Sequence, residues 1–126
     1  MTTPTQYSFF AHPKFMKETH DKMTEEEQDE LYFVLTKINI DGITKDIKKL
    51  RNSKQKLYEL KFSVRGQVWR IAFVFDAEQR VILLVGGSKQ GKSQKRFYDA
   101  LIAKGDARAV EVKQMEREIW LSRLTK

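Results

Sequence analysis

Three stretches rich in aromatic and β-branched residues follow one another with almost no chain between them. Leu57–Val64, Val68–Asp76 and Arg80–Ser88 are separated only by Arg65-Gly66-Gln67 and Ala77-Glu78-Gln79. A parallel crossover needs a dozen or more residues, so connections this short admit only antiparallel neighbours. An antiparallel meander therefore stands at the centre of the fold. In its first strand Tyr58, Leu60, Phe62 and Val64 alternate with Leu57, Glu59, Lys61 and Ser63. In the second, Trp69, Ile71, Phe73 and Phe75 form the apolar set, with Arg70, Ala72, Val74 and Asp76 opposite. In the third, Val81, Leu83, Val85, Gly87 and Lys89 share one parity. One sheet face is greasy. The other is expected to display Lys61, Arg70 and Lys89, with Arg65 at the turn; ordinary solvated charges would give the same pattern.

Helical signals flank the meander. His12-Pro13 opens a short helical segment to about Met23, since proline suits a first helical turn. Thr24-Glu25-Glu26-Glu27 reads as a capping box, and its glutamates favour the positive end of the helix dipole. Leu31, Val34, Leu35 and Ile38 then give one apolar face, and Gly42 is a suitable C-terminal cap. After the strands, a helix is expected from about Ser93 to Lys104, a break at Gly105-Asp106, and a last helix over Ala107–Leu124. The order ααβββαα is α+β: an N-terminal helix pair packed on an antiparallel meander, followed by C-terminal helices. The chain of 126 residues is read as one domain, 1–126, with a helical extension over about 106–126.

Charge is distributed unevenly along this plan. The net charge is +7. Residues 1–42 carry 4 basic and 8 acidic side chains, whereas residues 43–104 carry 15 basic and 5 acidic. The cationic middle coincides with the strands and the helix after them, which points to an anionic partner such as nucleic acid. Cysteine is absent, which excludes disulfide scaffolds and thiolate-ligated metal sites. No apolar run approaches a membrane span, and Met1–Gln6 lacks the pattern of a secretory signal. No membrane partner is expected, and the cytoplasm is the expected location.

Gly86-Gly87-Ser88-Lys89-Gln90-Gly91-Lys92-Ser93 matches G-x-x-x-x-G-K-[ST] between a strand and a helix. Nucleotide binding is nevertheless not expected. That loop belongs to parallel sheets, and here Asp76, the candidate metal ligand, lies on an antiparallel neighbour. The 33 residues after Ser93 read as helical and leave no room for further strands.

Several loose motifs in order resemble the HigB-like branch of the RelE/ParE toxin superfamily. They are Leu57-Tyr58-Glu59-Leu60-Lys61, Trp69-Arg70-Ile71, Val81–Lys89 and Lys95-Arg96-Phe97-Tyr98. The similarity covers roughly residues 12–110. Ser88 stands where that branch commonly has an acidic residue, and the tail after Gly105 departs from its usual ending. The resemblance implies a helical hairpin on one sheet face and a concave basic face opposite. It also implies the toxin of a bacterial or phage type II toxin–antitoxin pair, neutralised by a cognate antitoxin, often a helix-turn-helix protein. Many such toxins are ribosome-dependent endoribonucleases acting on mRNA. ParE-type relatives instead poison DNA gyrase without nuclease activity, and a non-enzymatic basic interaction module is a third reading.

Cleavage by an internal 2′-hydroxyl needs a proton removed, positive charge on the phosphorane and a proton for the leaving oxygen. His12 and His20 both sit near the N-terminal helix, where surface or helix-end roles are expected. The resemblance points to Arg70 for the phosphorane, since a guanidinium grips two oxygens. It points to Lys89 for the same role or as proton donor, and to Tyr98 for stacking on a base or moving a proton. Glu59 is either a base or a structural partner that orients Arg70. Lys61, Arg65, Lys92, Lys95 and Arg96 would hold backbone phosphate. No metal and no cofactor is expected: the cleavage would run on Arg, Lys, Tyr and Glu. Trp120 in the last helix is open between packing on the domain and covering a partner.

Overall fold

The computed structural model describes residues 7–42, 47–76, 78, 80–89, 91 and 93–114, and the backbone of 122–123. Its elements are β1 (Ser8–Ala11), α1 (Pro13–Glu18), a 3-10 turn (His20–Lys22), α2 (Glu25–Asp41), β2 (Ile47–Lys49), β3 (Tyr58–Val64), β4 (Gln67–Phe75), β5 (Arg80–Ser88), α3 (Gln94–Gln114) and β6 (Ser122–Arg123). The architecture is α+β, as expected. The sheet runs β2-β3-β4-β5-β1-β6, with the expected meander at its centre. β1, β2 and β6 are additional to the expected plan. β1 lies parallel to β5, β2 antiparallel to β3, and β6 antiparallel to β1.

Local chemistry explains the helix pair. His12 caps α1 by accepting the Lys14 N–H on Nδ1, and Pro13 opens the helix. In α2, Thr24 Oγ1 accepts the Glu27 N–H at 3.1 Å while Glu27 accepts the Thr24 N–H at 2.8 Å. This reciprocal box contributes about 1 kcal/mol. Gly42 ends the helix at φ +75°, a conformation glycine adopts without strain. The pair buries Phe15, Leu31, Leu35 and Ile38 against Leu60, Phe62, Ile71, Phe73, Val81 and Leu83.

The other sheet face is not left open, contrary to expectation. α3 lies across its apolar part, packing Phe97, Leu101, Ala109 and Val112 against Leu57, Ala72, Ile82, Leu84 and Val85. Apolar area on that face needs cover, and the charged corner around Arg70 stays accessible beyond it.

The single parity expected for β5 is also corrected. Phe73 pairs with Leu83 but Ala72 pairs with Val85, so Leu84 is an extra residue in a β-bulge. Val81 and Leu83 therefore face the helix pair, whereas Val85 packs toward α3. Beyond the bulge, Gly87 sits beside Phe97 of α3 and directly opposite Arg70.

The break expected at Gly105-Asp106 does not occur, and α3 runs unbroken to Gln114. Gly105 is buried in mid-helix, where a Cβ would lie 2.7 Å from Leu57 Cδ1. Its glycine serves close helix–sheet approach rather than termination. Asp106 then clamps the chain before β3, accepting from Ser53 Oγ at 2.6 Å and from the Lys54 and Gln55 N–H groups. Of the helix expected over Ala107–Leu124, residues 115–121 and Leu124 lie outside the described residues, Trp120 among them. Ser122 and Arg123 are strand, paired with Ala11 and Phe10.

Candidate functional site

The β3–β4 hairpin sets the site. It turns on Arg65 and Gly66, both at positive φ, the geometry that matches strand twist in a two-residue loop. The resulting register places Lys61 directly across from Arg70, on the α3 side of the sheet. Like charges so opposed repel one another, and a bound anion would relieve that repulsion. The bulge in β5 supplies the next wall, for it places Gly87 beside Arg70 with no side chain in the way.

α3 completes the corner. Ser93 accepts the Arg96 N–H on Oγ at 3.2 Å and the Phe97 N–H on its carbonyl at 3.0 Å, fixing the first turn. Phe97 is buried and carries the Arg70 guanidinium 5.9 Å from its ring centre. Tyr98, half-buried, accepts a hydrogen bond from Arg70 Nε at 3.1 Å. Burial pushes the Tyr98 hydroxyl above its ordinary acidity range, and hydrogen bonding to Glu59 adds to this, while Arg70 and Lys48 pull the other way. At neutral pH the phenol is protonated and can give its hydrogen to Glu59.

Glu59 is 2% exposed, and its Oε2 has no hydrogen-bond partner among the described residues. Its carboxylate meets Lys48 and Tyr98 rather than Arg70, so the contact to Arg70 runs through the tyrosine. Lys89 is half-buried and lines an open cleft with Arg70, Gly66, Gln67, Val68, Ser88 and Gly91. Arg70, Tyr98, Glu59, Lys61 and Lys89 are thus gathered in one region.

The remaining candidates are arranged differently. Arg65 is turned to the helix-pair side, where its Nε donates to Glu26 at 2.6 Å. Lys95 is exposed and paired with Asp99 at 2.9 Å along α3. Arg96 is exposed in the first turn of α3. Lys92 lies outside the described residues. His12 holds a helix end, one of the two expected roles, but is buried: with Nδ1 accepting from Lys14, Nε2 carries the hydrogen and donates to Glu111 at 2.8 Å. His20 pairs with the Tyr32 hydroxyl. Asp76 sits at the far end of β4, where it accepts from the backbone of Glu78 and Arg80 and from Arg80 Nε. It is thus a turn residue, remote from the glycine-rich loop after β5. Among the described residues no cluster of His, Asp and Glu is arranged to hold a metal, and no helix is long and apolar enough to cross a membrane.

Lys48 was not singled out in the sequence. It stands in a run of lysines on a three-residue strand, and only its cross-strand position opposite Glu59 distinguishes it.

A family model described as phage derived protein Gp49-like (DUF891) matches residues 18–110. Among solved structures, an arginine-to-alanine double mutant of E. coli toxin RelE in the free state aligns with a TM-score of 0.57. The identity is 18%, over 79% of this chain and 97% of that one, so the likeness is one of fold. No curated protein matches the chain. The family match spans well over half of the sequence: the chain belongs to the phage-derived Gp49-like family.

Proposed function

We propose that the chain is the toxin of a type II toxin–antitoxin pair, of HigB-like kind, and that it cuts mRNA on the ribosome. The observation that carries this reading is the Arg70–Tyr98 hydrogen bond, set beside Lys61 and Lys89 on the sheet face that α3 partly covers. Family membership and the RelE-like fold support the toxin class.

The arrangement suits attack by a 2′-hydroxyl on the adjacent phosphate. Arg70 spans two phosphate oxygens as the phosphorane gains charge. The Tyr98 oxygen takes the 2′-hydroxyl proton as its own proton passes to Glu59. A P–O2′ bond forms, giving a 2′,3′-cyclic phosphate, and the P–O5′ bond breaks. Lys89 protonates the departing O5′, and water carries the proton gained by Glu59 back to Lys89. Lys61 holds a neighbouring phosphate. A cognate antitoxin, of helix-turn-helix type, would restrain this activity in the cytoplasm.

The test is induced expression followed by mapping of mRNA ends. Growth arrest with new 5′ ends inside translated messages, abolished by Arg70→Ala, is the expected result. Arrest with intact messages and a DNA-damage response would replace this reading with gyrase inhibition.

A further inference from the structure

The buried carboxylate of Glu59 creates an electrostatic problem that Arg70 and Tyr98 do not solve. An ionised carboxylate at 2% exposure is costly unless a cation accompanies it. Arg70 is engaged with Tyr98 and is not that cation. The short strand β2 provides one. Lys48 pairs directly across from Glu59, and its Nζ lies 3.7 Å from Oε1. The same ammonium sits 5.0 Å over the Tyr98 ring. One side chain thus touches both halves of the proton path, while remaining 58% exposed itself.

We propose that Lys48 is a positioning residue of this site, a fixed cation that sits against the Glu59 carboxyl and holds the Tyr98 ring so that its hydroxyl stays between Glu59 and Arg70. The inference rests on the nuclease reading above. Lys48 does not reach substrate through the proton path; it acts through the two side chains it contacts. Its attachment to an edge strand matters. Ile47 is buried beside it and anchors β2, so the lysine stem emerges at a set point over the ring. Among the described residues, the charged groups that act on Tyr98 are Lys48 from β2, Glu59 from β3 and Arg70 from β4, with Lys61 across from Arg70 and Lys95 and Asp99 near it in sequence on α3.

The test compares the full chain with Lys48→Met and Lys48→Arg, each with and without 3-fluorotyrosine at position 98. Cleavage of ribosome-bound mRNA is followed by end mapping, and ionisation of the fluorinated ring by 19F NMR. Because Lys48 is exposed, Lys48→Met leaves the fold intact, as the 19F spectrum at neutral pH will register. Lys48→Met is expected to slow cleavage at least about tenfold, since it weakens the proton-transfer step without removing its members. It should also move the ring's ionisation to higher pH, because a nearby cation has gone. Lys48→Arg should restore most of both, as arginine keeps the charge and stacks on an aromatic face.

Unchanged cleavage in Lys48→Met overturns the proposal while leaving the nuclease reading intact. Slowed cleavage with an unmoved ring titration also overturns it, because a structural loss alone would do that. Absence of cleavage in the unaltered chain overturns the nuclease reading, and this proposal with it.

Discussion

The Arg108 guanidinium donates to the carbonyl of Leu84 across 2.8 Å, and through its second nitrogen to Glu18 across 2.5 Å. Leu84 is the extra residue of the β5 bulge, so its carbonyl lies outside the regular ladder. One buried arginine on α3 therefore secures the bulge and ties α1 to it. The bulge in turn decides that Gly87 rather than Gly86 faces Arg70.

Arg108→Leu should cost about 2–4 kcal/mol of stability, because it strands a buried carbonyl and unpairs Glu18. Urea denaturation at neutral pH measures this. The bond from Arg108 holds the Glu18 carboxyl below its ordinary value of 4.5. A carboxyl so depressed adds stability above its unfolded value and loses it as pH falls through the folded one. The gap between wild type and Arg108→Leu should accordingly narrow on acidification below about pH 4.5.

Gly105→Ala is expected to destabilise by about 1 kcal/mol even though alanine is the better helix former. Leu57 is fully buried and cannot swing away from a new Cβ. Leu57→Val in the same chain should return part of the loss, and a double-mutant cycle by thermal melting would show the coupling. Additive losses would mean the contact is not the cause.

Tyr98→Phe and Arg70→Lys separate proton handling from phosphate grip. Each should lower mRNA cleavage by about 10²–10³ while shifting stability by less than about 1 kcal/mol. Arg70→Lys is included because lysine keeps the charge but loses the two-pronged geometry. End mapping and melting curves on the same preparations would check both statements.

Salt titration of binding to an uncleavable single-stranded RNA should distinguish the basic residues. Lys61→Ala and Lys89→Ala should each reduce the slope of log affinity against log salt by about 0.7. Arg65→Ala should leave the slope unchanged, since that side chain is held by Glu26 on the opposite side of the sheet.

The features legible in the sequence are those written in neighbouring residues. Thr24 and Glu27 announce the start of α2, and Arg65-Gly66 the hairpin that faces Lys61 toward Arg70. What escaped was written between distant residues. β1 and β2 are too short to show a period, and each exists because a partner strand is waiting. Gly105 reads locally as a helix stop, yet its role is set by Leu57 on another element. The bulge at Leu84 is invisible in an unbroken apolar run, and its correction moves Val85 and Gly87 across the sheet. In the site, Arg70, Lys89 and Tyr98 were reached through ordered motifs. Lys48 was hidden in a lysine-rich stretch, because only pairing with Glu59 gives it meaning.

β1 is laid between β5 and β6, with Ser8 opposite Arg80. A ribosome releases residues in order, so the first strand emerges long before the strand it pairs with. Until β5 is out, Phe9 and Phe10 have no parallel partner, and until α3 follows, Arg70 has no Tyr98. Closing so long a loop is slow compared with making a hairpin. The corner that joins Arg70 to Tyr98 therefore cannot assemble until α3 has left the ribosome, long after the hairpin that carries Arg70.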